Sequence, residues 1–133
     1  MASSLPTNPA RLSRVLVVDD DNQILETMQL ALSNRGYEVI LARDGKEGTA
    51  RIERDAPDVV ILDVMMPRRS GFAVLDKLNR EAAGNPSIIV VTGNEDVRFQ
   101  QYAESKGVAA YVRKPYNVET MLALVDRLAA ERG

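Results

Sequence analysis

Two runs of β-branched and aliphatic residues in this chain end in acid: Arg14-Val-Leu-Val-Val-Asp19-Asp20-Asp21 and Asp58-Val-Val-Ile-Leu-Asp63. Two further apolar runs end in a small hydroxyl, Ile88-Ile-Val-Val-Thr92, and in a cation, Ala109-Ala-Tyr-Val-Arg-Lys114-Pro115. Strand-like segments that each finish on a polar group imply one polar site at one edge of a sheet. Carboxylates, a hydroxyl and a lysine together suit a divalent cation and a phosphoryl group. The acids are hard oxygen ligands, and the hydroxyl and ammonium match phosphoryl oxygens.

The chain has neither His nor Cys. That excludes a Ser-His-Asp triad, a Cys nucleophile, an imidazole zinc site and a phosphohistidine on this chain. Its chemistry must run on carboxylates, hydroxyls, lysines and backbone groups, for which Mg²⁺ is the natural cofactor and Mn²⁺ the alternative. A net charge of -2 without a long basic run gives no electrostatic footprint for nucleic acid. No apolar stretch approaches the ~20 residues that span a bilayer. The lack of Cys fits a reducing compartment, so a cytoplasmic location is expected.

Five elements of one kind and five of another must position these residues. Strand-like runs fall near 14–19, 37–42, 58–63, 87–92 and 109–113, and helical periodicity fills the gaps. In 22–34 the apolar Ile24, Leu25, Met28, Ala31 and Leu32 share one helical face, with Gly36 as the stop. Asp44-Gly-Lys-Glu47 resembles a capping box for a second helix that must end before Pro57. Ser70 caps a third expected helix, and Asn94 a fourth, closed by Gly107. Asn117 caps a fifth, whose Val118, Met121, Leu122, Val125, Leu128 and Ala129 form its apolar face, with Leu124 widening that arc beyond what core burial requires. Residues 1–13 lack periodicity and read as a flexible N-terminal tail.

Alternating strands and helices, with continuous apolar strands, predict an α/β fold with an all-parallel sheet covered on both faces. For five units the simplest form is a doubly wound (βα)5 sheet in the order 2-1-3-4-5. Its switch point lies between strands 1 and 3, where Asp19, Asp20 and Asp63 fall.

These signatures, in this order and at these intervals, resemble the CheY-like receiver domain of response regulators in two-component signalling. The resemblance covers residues 14–131 and rests on Asp19-Asp20, Asp63, Thr92, Tyr111 and Lys114-Pro115. It implies that Asp63 is the phosphoacceptor and that Asp19, Asp20, Asp63 and the backbone carbonyl of Met65 hold Mg²⁺. It also implies that Thr92 and Lys114 engage phosphoryl oxygens, and that Thr92 and Tyr111 form a switch. The partners it implies are a sensor histidine kinase or a histidine phosphotransfer protein. Downstream, it implies a protein target or a second copy at the face of the fourth helix, fifth strand and fifth helix. Catalysis would be limited to the domain's own phosphorylation and dephosphorylation.

Each residue also has a plainer role to set beside this. Asp21 reads as a helix cap, and Thr is common at strand ends. Arg68-Arg69, in a loop where the family has small or acidic residues, read as solvated, with contact to a partner's acidic surface as the alternative. Met65 and Asn94 flank the expected approach of water to a phosphorylated Asp63. Neither offers an acid or amine to orient it, so a comparatively long-lived phosphoryl group is expected. Haloacid-dehalogenase-like phosphatases share an aspartate nucleophile but need a second acid two residues on, where this chain has Met65. A flavodoxin-like mononucleotide binder needs a phosphate loop after strand 1, where Asp19-Asp20-Asp21 would repel phosphate.

Overall fold

Runs of Val, Ile and Leu become buried strands when both faces of a parallel sheet are covered. In the computed structural model, which describes residues 13–64, 74–76, 86–93 and 97–132, five such strands form. They are β1 (Arg14–Val18), β2 (Glu38–Ala42), β3 (Val59–Asp63), β4 (Ser87–Thr92) and β5 (Ala110–Arg113). All pair in parallel, in the expected order β2-β1-β3-β4-β5. Between them lie α1 (Asn22–Asn34), α2 (Gly45–Asp55), helical residues 74–76 (α3) and α4 (Val97–Ser105), and α5 (Val118–Arg132) follows β5.

Side-chain alternation along the strands divides the core in two. Val15, Val17, Val59, Ile61, Ile89 and Val91 pack against α1 and α5. Leu16, Val18, Val60, Leu62 and Val90 face the other way, against Val74 and Leu75 of α3 and Ala103 of α4. Leu124 is half-buried against the first cluster, so the core uses part of the apolar surface that seemed surplus in sequence.

The helix ends follow local chemistry. Asp21 caps α1 by accepting from the Gln23 and Ile24 amides, and Gly36 closes it at φ 97°. Asp44 accepts from the Glu47 amide at 2.8 Å, but Glu47 reaches back to the Arg43 amide, also at 2.8 Å, instead of the capping residue's own. Ala56 ends α2 at φ 47°, just before Pro57. Asn117 caps α5 through the Thr120 amide at 3.0 Å. Strands β2, β3 and β5 each begin one residue later than expected, β2 because the Tyr37 amide turns back to the Leu32 carbonyl to finish α1. The expected caps Ser70 and Asn94 lie outside the described residues, as do Arg68 and Arg69.

The Tyr37 ring then packs on the first core cluster while its hydroxyl donates to Asp126 of α5. Arg35 Nη2 and Nε reach the same carboxylate at 2.7 and 3.0 Å. The Tyr37 hydrogen bond, then that of Arg35, holds Asp126 below its ordinary 3.8. A lowered carboxylate contributes stability above its ordinary pKa and loses it as pH falls through the folded value. Tyr37→Phe should cost roughly 1 kcal/mol at neutral pH, the charge being largely solvated, and should reduce the acid-induced loss below about pH 4. Urea unfolding at neutral and acid pH checks both; an unchanged acid-induced loss counts against the tie.

Candidate functional site

Strand register brings the polar ends together. Val18 pairs with Leu62, so Asp19 and Asp63 stand level on adjacent strands. Asp63 pairs with Val91, and Thr92 follows; Thr92 pairs with Arg113, and Lys114 follows. Asp19 (3% exposed), Asp63 (4%) and Thr92 (0%) are the buried polar residues among those described. Buried charges need partners, and these acids share one. Lys114 Nζ lies 2.9 Å from Asp19 Oδ2 and 3.1 Å from Asp63 Oδ2. The Lys114 amide also donates to the Thr92 carbonyl at 2.9 Å, and a cis bond joins Lys114 to Pro115.

The electrostatics follow from that enclosure. Burial raises the Asp19 carboxyl; the Asp21 amide and Lys114 oppose the rise, and the Asp63 charge adds to it. Burial alone would lower the Lys114 ammonium, but hydrogen bonds to Asp19 and Asp63 outweigh it and the net shift is upward. Lysine is thus held charged between two acids.

Ligand oxygens of Asp19, Asp20 and Asp63 all lie within 4.8 Å of one another, with Asp20 exposed beside the two buried acids. Three converging hard oxygens, one open to solvent, fit a Mg²⁺-type cation that keeps several waters. Met65 and Asn94 lie outside the described residues. Tyr111 is half-buried and packs on the α3/α4 side of the sheet, the side that strand alternation also gives Thr92.

Sequence alone does not single out Tyr116. Its phenol is raised by burial and then by the Asp19 charge, and it lines a groove of about 510 Å³ with Asp21, Ile24, Thr27, Lys114 and Val118. The groove forms where α1 meets the β5–α5 connection, a meeting that no local pattern announces.

Comparison with known proteins agrees with this architecture. Residues 15–126 match the sequence model of the response regulator receiver domain. The chain is 41% identical over 115 residues to response regulator MprA of Mycolicibacterium vanbaalenii, covering 86% of this chain and 49% of that protein. It is 40% identical over 124 residues to response regulator MprA of Mycobacterium sp. (strain KMS), covering 90% and 54%. The chain thus spans about half the length of the curated relatives it matches. Among solved structures, it is similar to a CheY-like receiver domain protein from Methanospirillum hungatei, with TM-score 0.85 and 31% identity over 91% of this chain and 96% of that one. Chemotaxis protein CheY4 of Vibrio cholerae gives TM-score 0.81 and 30% identity over 89% and 99%. The chain belongs to the receiver-domain family of two-component response regulators. Among the described residues, no helix is long and apolar enough to cross a membrane.

Proposed function

We propose that this receiver, spanning residues 14–131, is a phosphorylation-controlled switch loaded at Asp63 by a histidine kinase or histidine phosphotransfer protein. The observation that carries this reading is the convergence of three carboxylates and Lys114 at the carboxyl ends of β1 and β3. An Asp63 oxygen attacks the phosphorus of a phosphohistidine; the O–P bond forms, the N–P bond breaks, and the imidazole leaves and takes a proton. Lys114 exchanges a carboxylate for a phosphoryl oxygen, and the Thr92 hydroxyl donates to another. Asp19, Asp20 and Asp63, with the Met65 carbonyl by resemblance, would hold Mg²⁺ or Mn²⁺. When bound, that cation supplies positive charge against the phosphoryl oxygens.

The groove beside Lys114 offers the loading partner a seat next to Asp63, because Lys114, which lines it, also touches that carboxylate. Incubation with a small acyl phosphate and Mg²⁺, followed by peptide mass spectrometry, tests the chemistry. Phosphate on Asp63 alone, dependent on the cation, is expected.

On the output side, Thr92 and Tyr111 share a face of the sheet, so a shift of the Thr92 hydroxyl toward phosphate frees space for the Tyr111 ring. The α4, β5 and α5 surface would then change its preference for a target or a second copy. Tyr111→Ala should leave labelling of Asp63 intact while weakening phosphorylation-dependent binding or dimerisation by about ten-fold, the scale of a truncated interface aromatic. Sedimentation of phosphorylated and unphosphorylated protein, with and without target, reads this out; unchanged phosphorylation-dependent association removes Tyr111 from the mechanism.

A further inference from the structure

Helix α4 packs on the sheet through Ala103. Of its side chains that the structure describes, only Ala103 is buried. A polar tie joins it to α3. The Tyr102 hydroxyl donates to Asp76 Oδ1 of α3 at 2.7 Å, and Lys106 Nζ reaches the same oxygen at 3.0 Å. Lys106 also sits 5.2 Å from the centre of the Tyr102 ring, within cation–π range. One carboxylate oxygen therefore gathers two donors, one from α4 and one from the residue just past its end. The hydrogen bond to Asp76 is the leading cause of the raised pKa of both Tyr102 and Lys106, which keeps both donors protonated.

The tie lies between the two helices that follow the site's own strands. α3 comes after Asp63 of β3, and α4 after Thr92 of β4. A nine-residue helix moves as a body, so displacement at its start reaches Tyr102 and, directly after its last residue, Lys106. Contacts at 2.7 and 3.0 Å do not stretch; they hold or break.

We propose that the Asp76–Tyr102–Lys106 cluster is an autoinhibitory clamp that holds α4 in its unphosphorylated position. The proposal rests on the phosphorylation reading above. Because the clamp favours one state, removing it must favour the other, and by linkage it must ease phosphorylation by the same factor. An exposed cluster of this kind implies about a two- to five-fold effect.

The experiment titrates wild type, Asp76→Ala, Tyr102→Phe and the double variant with acetyl phosphate at saturating Mg²⁺, reading the phosphorylated fraction by intact mass. Arg51→Gln, which breaks an ion pair within α2, serves as the control. Half-maximal phosphorylation should fall about two- to five-fold in Asp76→Ala and by less in Tyr102→Phe, which keeps the Lys106–Asp76 contact, with the double variant matching Asp76→Ala and no change in the control. Hydrogen exchange of unphosphorylated Asp76→Ala should show faster exchange across residues 97–105 and unaltered exchange in β1 and β3. Failure of wild type to label would instead remove the phosphorylation reading. Wild type that labels, with clamp variants equal to it or harder to load, or with α4 exchange unchanged, overturns the clamp.

Discussion

Asp63→Asn is expected to abolish phosphorylation while leaving the fold in place. The side chain is buried at the end of β3, and an amide of the same shape still offers Lys114 an acceptor oxygen. What it loses is the anionic oxygen that attacks phosphorus. Incorporation from acetyl phosphate should fall by about three orders of magnitude, equivalent to roughly 4 kcal/mol of barrier. Intact mass after a fixed incubation, with circular dichroism as the check on folding, measures both. A folded variant that labels as well as wild type would show that another residue accepts phosphate.

Asp20→Asn should separate metal binding from folding. Asp20 is the exposed member of the acidic group, whereas Asp19 and Asp63 are already bridged by Lys114. Removing its charge leaves the lysine bridge intact and relieves repulsion only through solvent, so metal-free stability should rise by less than about 1 kcal/mol. Cation affinity should suffer far more. Outer-shell partners of metal ligands are worth about 10–100-fold, and a direct carboxylate should cost at least as much. Thermal melts in chelator and Mg²⁺ titrations followed by fluorescence or calorimetry give the two numbers. Unchanged Mg²⁺ affinity, or a lower melting temperature in chelator, would argue against the three acids forming one site.

The sheet order and the polar strand ends were legible because they depend on patterns local to the chain. A continuous run such as Val59-Val-Ile-Leu followed by Asp63 states both its burial and its terminus. The start of β2 is not legible in the same way, because Tyr37 looks like any strand residue until its amide is seen closing α1. The double pairing of Lys114 was out of reach for another reason. Its partners lie 95 and 51 residues away, and only the folded register brings a flexible side chain to both. The clusters at Asp126 and Asp76 are harder still. Their members are polar residues on helix surfaces, where hydrophobic periodicity is silent and any position reads as solvated.

The two-residue repeat of the strands also sets which changes of length this protein can survive. Asp63 is the last residue of β3 and Thr92 the last of β4, each delivered to its place by the number of residues before it. One residue gained or lost inside β3 would turn the Asp63 side chain to the opposite face and expose its apolar neighbours to the wrong layer. The same slip in β4 would send Thr92 away from Tyr111. The strands act as rulers, whereas the connections between them bear no such count. Descendants of this chain are therefore free to lengthen and recolour their loops to meet new partners, while insertions and deletions inside the strands are closed to them.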